Sequence, residues 1–408
     1  MVSYQKIIRT INEGGVTLLF KKIWRKLRPS YIDHLAHQTP HGLPKTHLEI
    51  KKMAIDVEDI ALAERIIKAF HKASLDEKQH FNRKIADSEI DAWDDNKMKY
   101  HKDLYLILTS NDTQKTAEYL CNMHLQSATY GISGSATEYG EMISSGRLRD
   151  QKGALTKDAL VSFAEALGIL PYEAIVPYVI KNNIYVDADT LINKIEKEIG
   201  IKIAPPEIDG GLYKLKLKMG SFDPRDFYSL YAAWRINHIL GKNTPICEIG
   251  AGIGKVALYA SRFGFLNYSI FDLPLINAIQ AWYLIKSLPG GRITLYGEKN
   301  NTEDSIKILP YWEFMRTNNR YALVLNQDSF PEISKEIVEG YLNKIEECTT
   351  YFLSINQEHE APLFDGAEKR NLIVPDMTKK YRKLKKIYRF PFWLRKGYVE
   401  ELYQVQIP

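Results

Sequence analysis

The chain has 408 residues, 45% of them hydrophobic and 26% charged, with a formal net charge of +5. That length exceeds one ordinary core and implies two domains with an appendage. The composition is that of a soluble globular protein, without the ~20-residue apolar run of a membrane-spanning helix, and the mild charge does not call for nucleic acid as a partner.

Residues 1–45 form a basic amphipathic segment. Leu19, Phe20, Ile23, Trp24 and Leu27 recur at helical spacing among Lys21, Lys22, Arg25, Lys26 and Arg28, the composition of an interfacial helix. Two uses fit: peripheral contact with an anionic membrane, or packing against the helical domain or a second subunit in a homo-oligomer. No small-residue cleavage site follows, so a cytoplasmic protein is expected, peripheral at the inner face of the membrane in the first case. His34, His37, His41 and His47 are interrupted by Pro40 and Pro44, and Cys121, Cys247 and Cys348 lie far apart. No metal site is expected.

Residues 46–222 read as a mostly helical domain. Ile60, Ala63, Ile66, Ile67 and Phe70 make one apolar stripe behind acidic Asp56, Glu58 and Asp59. Leu104 to Leu108 predicts a second helix, with Ser110-Asn111-Asp112 capping the next. Residues 131–153 hold five glycines and read as a loop. Helical patterns resume over 158–167 and 189–199. Leu215 and Leu217 then alternate with lysines as a strand.

Residues 223–408 change rhythm. Asp223-Pro224 starts a helix that buries Phe227, Leu230, Tyr231, Trp234 and His238. Strands are predicted over 246–249, 268–271, 293–296, 321–325 and 351–355, with helices over 275–288 and 331–347 among them. Strands at 385–389 and 399–405 follow. This alternation predicts an α/β fold, a Rossmann-like, seven-stranded domain with a final hairpin-like pair beside a parallel sheet, behind the mostly helical N-terminal domain.

The decisive run is Glu248-Ile249-Gly250-Ala251-Gly252-Ile253-Gly254, between an apolar strand and a helix. A dinucleotide enzyme needs G-x-G-x-x-G and a pyrophosphate at the helix N-terminus. Here the third glycine comes one residue early, and Lys255 fills the sixth position. Glu248, Gly250, Gly252 and Gly254 instead fit the pattern E-x-G-x-G-x-G of enzymes that use S-adenosyl-L-methionine. An acid at this turn suits that cofactor's cationic amino group and sulfonium. Asp272, 18 residues beyond Gly254 and followed by Leu273, ends the next strand, where an acid accepts ribose hydroxyls. Asp272 also reads as a helix cap before Pro274. Glu298, Glu303 and Asp304 are candidates for the adenine side.

Methyl transfer to a hydroxyl needs a base. Asp328 is the first candidate and His359 the second, each with a plainer reading as a turn, cap or loop residue. Asn326, Ser329 and Glu332 at one strand tip, and Asn356, Gln357 and Glu358 at its neighbour, are the candidate substrate contacts. The Asn-Pro-aromatic tetrapeptide of amino-group methylation is absent here, which favours oxygen as the acceptor.

These residues resemble a bacterial family of sugar O-methyltransferases found with genes for surface polysaccharides. The likeness covers the glycine turn, Phe271-Asp272-Leu273-Pro274, Asn326 to Glu332, Asn356-Gln357, and Tyr388-Arg389-Phe390-Pro391 through Gly397-Tyr398. It implies methylation of a small-molecule or glycan acceptor, a sugar hydroxyl in a polysaccharide or nucleotide-sugar precursor. A lipid, protein or RNA acceptor, and a non-catalytic cofactor-binding scaffold, remain as alternatives.

Overall fold

The computed structural model describes residues 52–80, 100–133, 147–172, 183, 186–208, 214–242, 244–299, 302–358 and 372–406. The basic segment of residues 1–45 and His359 lie outside the described residues. No described helix is long and apolar enough to cross a membrane.

The helical half comprises α1 (Val57–His80), α2 (Lys102–Thr109), α3 (Thr113–Cys121), α4 (Arg147–Ala166) and α5 (Ala188–Ile199). Asp56 caps α1, accepting the Asp59 N–H at 2.9 Å while Asp59 accepts the Asp56 N–H at 3.1 Å. Ala63, Ile66, Ile67 and Phe70 are buried, as their spacing predicts. Asp112 accepts the Lys115 N–H at the head of α3, and left-handed Gly200 closes α5. Residues 147–153, expected in a loop, are the first turns of α4. The glycines that suggested a loop are outweighed by a helix that continues into buried Ala159, Leu160, Phe163 and Ala164.

A small hairpin, β1 (Leu215–Leu217) with β2 (Gly220–Phe222), leads into α6 (Pro224–Ile239). Phe227, Leu230 and Tyr231 are buried as predicted, but His238 is exposed. Ala232, Ala233 and Ile236 are buried too, because α6 is flanked by α4 and by the helix after the glycine turn.

The remaining elements are β3 (Ile246–Ile249), α7 (Lys255–Arg262), β4 (Tyr268–Asp272), α8 (Pro274–Ser287), β5 (Ile293–Leu295), β6 (Ile306–Pro310), α9 (Tyr311–Arg316), β7 (Tyr321–Gln327), α10 (Lys335–Cys348), β8 (Thr349–Gln357), α11 (Val374–Thr378), β9 (Leu384–Pro391) and β10 (Tyr398–Val405). They build an eight-stranded sheet of order β5-β6-β4-β3-β7-β8-β10-β9. Strands from β5 to β8 pair in parallel, while β10 runs antiparallel to β8 and β9. This is a Rossmann-like sheet closed by an antiparallel terminal hairpin.

The strand absent from the sequence reading is β6, whose Ile306, Ile308 and Pro310 are buried beside β4. It displaces β5 to the sheet edge, away from β4. The helix expected from Pro331 begins only at Lys335, since a 3-10 turn at Phe330–Glu332 and Ser334 intervene.

Both sheet faces are buried, as a parallel sheet requires. Ile246, Leu323, Leu325, Leu353 and Ile355 join one apolar cluster that continues through α6 and α8 into α1 and α4. Cys247, Ile249, Val324 and Phe352 face the other cluster, under α10 and α11. The helical half therefore shares a core with the sheet. Ion pairs of Lys286 with Asp59 at 2.6 Å and Arg65 with Glu298 at 2.9 Å reinforce that seam.

Candidate functional site

The chain leaves β3 towards β4 and β6 on one side and later returns to β7 on the other. Neighbouring loops diverge at such a switch point, and ligands bind beyond the strand ends there. A cavity of ≈ 320 Å³ opens at this place, against Glu248, Gly250, Ala251, Gly252, Asp272 and Leu273. Its far wall holds Gln327, Asp328, Ser329 and Glu332.

Gly250, Gly252 and Gly254 all have left-handed φ, at 74°, 57° and 94°, a conformation that costs other residues about 1–2 kcal/mol. Space adds a second demand. A Cβ on Gly250 would stand 2.3 Å from the Ser329 hydroxyl oxygen, and one on Gly254 2.9 Å from Leu284 Cδ1. The first and third glycines thus serve the packing of β7 and α8 against the turn. A Cβ on Gly252 would stand 3.3 Å from Ile132 Cγ2 of the helical half.

Asp272 fastens the turn. Its Oδ2 accepts the Ala251 N–H at 3.0 Å and Gln280 Nε2 at 2.7 Å, and its Oδ1 accepts the Leu273 N–H at 2.8 Å. Gln280 also donates to the Gly252 carbonyl. Burial pushes the Asp272 carboxyl up to about 7 against these donors. Glu248 is buried and accepts the Tyr268 hydroxyl at 2.8 Å. Burial pushes its carboxyl up to about 8, opposed by Tyr268 and helped by the Asp272 charge.

Asp328 sits at the tip of β7 with φ 60°. Its Oδ2 accepts Arg395 Nη1 at 2.7 Å and its Oδ1 accepts the Tyr398 hydroxyl at 2.6 Å. The Arg395 guanidinium stacks 4.0 Å from the Tyr398 ring centre and 5.9 Å from that of Tyr228. Burial drives the Tyr398 hydroxyl upward, and the Asp328 charge adds to it.

The other predicted contacts separate. Asn326 and Asn356 are buried and bond each other at 2.9 Å. Asn326 also donates to the Ile249 carbonyl at 2.9 Å and to Ser329 Oγ at 2.5 Å. They brace the strand tips beneath the cavity instead of walling it. Glu358 pairs with Arg389 at 2.5 Å, and Gln357 ends β8 opposite Tyr398. Glu298 is held by Arg65 and accepts the Leu295 N–H. The strand tip beside Asp272 belongs to β6 instead, and it brings Tyr311 into the wall.

Sequence reasoning missed Arg225, Tyr228 and Ser229, which place one face of α6 on the cavity, and Ile132, which brings the helical half to it. Their i, i+3, i+4 spacing after a capped start was the available signal. It also missed Lys255, which turns from the cavity to pair with Asp223 at 2.6 Å and Asp226 at 2.7 Å. Burial raises the Asp226 carboxyl; at Asp223 the Lys255 and Lys214 ammoniums outweigh burial and hold the carboxyl below its ordinary range.

No family model matches the chain, and no curated protein matches it. Among solved structures it is similar to the glycopeptide N-methyltransferase MtfA complexed with S-adenosyl-L-methionine, at 15% identity and a TM-score of 0.34, over 44% of this chain and 94% of that one. It is also similar to the mitomycin 7-O-methyltransferase MmcR, at 17% identity and a TM-score of 0.32, over 45% of this chain and 56% of that one. For the magnesium protoporphyrin IX methyltransferase ChlM from Synechocystis PCC 6803 the values are 7%, 0.31, 43% and 76%.

Proposed function

We propose that this chain is an S-adenosyl-L-methionine-dependent O-methyltransferase whose acceptor is a sugar hydroxyl of a surface-polysaccharide or nucleotide-sugar precursor. One observation carries the cofactor reading: the left-handed glycine turn and Asp272 form a single hydrogen-bonded unit under a cavity at the sheet's switch point. Two carboxyls at that cradle, Asp272 and Glu248, suit a cationic ligand, whose charge favours their ionised forms. Asp272 keeps capacity for ribose hydroxyls, because its two oxygens offer about four acceptor sites and three are used.

The bound cofactor supplies a methyl group activated by the sulfonium. The remaining work falls to the chain. Ile132 and the α6 face enclose the cavity and limit water. Asp328 accepts a hydrogen bond from the acceptor hydroxyl and draws its proton, while Arg395 and Tyr398 hold the carboxylate in one orientation. Gln327 and Glu332 give the same wall a polar character suited to a hydroxylated acceptor.

Incubation with methyl-labelled cofactor and a panel of nucleotide-sugars, glycans and amine acceptors tests this reading. Label on a sugar oxygen is the expected result. Label confined to nitrogen, or none on any hydroxyl, would overturn the acceptor assignment.

A further inference from the structure

We propose that Arg225 is an oxyanion receptor inside the cavity, binding a carboxylate or phosphate group of a ligand. The inference rests on the cofactor reading above and adds a residue that the sequence did not single out.

The charges around the cavity lead to it. Its described walls carry the acids Glu77, Glu248, Asp272, Asp328 and Glu332 and the cations Arg225 and Arg395. Arg395 is matched to Asp328 at 2.7 Å. Arg225 is half-buried, and no salt bridge joins its guanidinium to a carboxylate among the described residues, although its charge acts on Asp223. The acid nearest in sequence is already committed. Asp223 gives Oδ2 to Lys255, and its Oδ1 accepts the backbone N–H groups of Arg225 and Asp226. That capping box also consumes the first amides of α6, so the guanidinium and not the helix terminus is the free donor.

Position points the same way. Lys255 is the first residue after the glycine turn, and its ion pairs with Asp223 and Asp226 bracket Arg225 in sequence. Arg225 is thereby held against the turn that cradles the ligand. Tyr228 and Ser229 continue the same helix face along the wall. A partly desolvated guanidinium with open donors binds carboxylate or phosphate in a fork geometry. Two sources supply such a group: the amino-acid end of the cofactor, or a phosphate on the acceptor.

Calorimetry on the full chain and on Arg225→Gln distinguishes them. The probes are S-adenosylhomocysteine, which carries the carboxylate, 5′-methylthioadenosine, which lacks it, and uridine diphosphate added to the S-adenosylhomocysteine complex. A loss of about 10- to 100-fold for S-adenosylhomocysteine alone identifies the cofactor carboxylate. A loss confined to uridine diphosphate identifies an acceptor phosphate. Unchanged affinity for both anionic probes, or equal weakening of 5′-methylthioadenosine, overturns the proposal. Wild-type protein that binds neither adenosyl compound overturns the cofactor reading instead. Arg225→Lys should recover part of the loss, which separates charge from helix packing.

Discussion

The Asp272 carboxylate accepts the Ala251 backbone N–H at 3.0 Å, which ties the acid of one strand tip to the glycine turn of its neighbour. Asp272→Ala removes that tie together with the acceptor proposed for the ribose hydroxyls. Affinity for S-adenosylhomocysteine should fall by about 1.5–3 kcal/mol. Thermal stability should fall too, because three donors lose their acceptor. Calorimetry and melting read the two separately, and unchanged affinity would refute the cofactor assignment.

The same carboxyl sets a pH dependence. Burial pushes Asp272 up to about 7 and Glu248 up to about 8. A cationic ligand favours their ionised forms, so binding lowers both values and releases protons. Affinity for S-adenosyl-L-methionine should therefore rise from pH 6 to about 8 and fall off in acid. Asp272→Asn should flatten the lower part of that profile. A wild-type profile already flat over this range would contradict the arrangement.

Gly250→Ala places a methyl group where Ser329 stands, at 2.3 Å from its Oγ, and at φ 74°. Strain of about 1–2 kcal/mol and overpacking of about 1–3 kcal/mol should both appear in urea denaturation. Adding Ser329→Gly should recover the overpacking and leave the strain. Additive costs for the two substitutions would show that the contact is not what excludes a side chain.

Asp328→Asn keeps the shape of the carboxylate and its left-handed backbone, which asparagine tolerates. Arg395 and Asp328 are both partly exposed, so stability should change by less than about 1 kcal/mol. Cofactor affinity should hold while kcat drops about 10²–10⁴-fold. Turnover near wild type in Asp328→Asn, together with a collapse in His359→Ala, would reverse the two roles.

Lys255→Met strips the buried ammonium from Asp223 and Asp226. Removing the ammonium that pairs with both carboxylates, with Lys214 left as their nearby cation, should cost up to about 3–5 kcal/mol. Asp226→Asn in that background should restore a substantial part, measured as the urea midpoint. No recovery would mean that Lys255 stabilises through packing alone.

Local chemistry was legible without coordinates. The two-residue alternation of β1, the apolar runs of β3, β4 and β7, the Asp112 and Asp223 caps, and the glycine turn with its acid all depend on neighbours within a few residues. Each therefore leaves a pattern in the chain. Short β6 escaped because Ile306–Pro310 gains its strand character from pairing with β4, a partner more than thirty residues away. The site divided along the same line. Glu248, Gly250, Gly252 and Asp272 stand in order along one β-turn-α-β run, so spacing alone brings them together. Arg225, Ile132 and Arg395 reach the cavity from three distant elements. Asn326 and Asn356 look identical in sequence whether they face a ligand or each other. Only the packing of β7 against β3 and β8, which turns both amides inward to a 2.9 Å hydrogen bond, decided between those two fates.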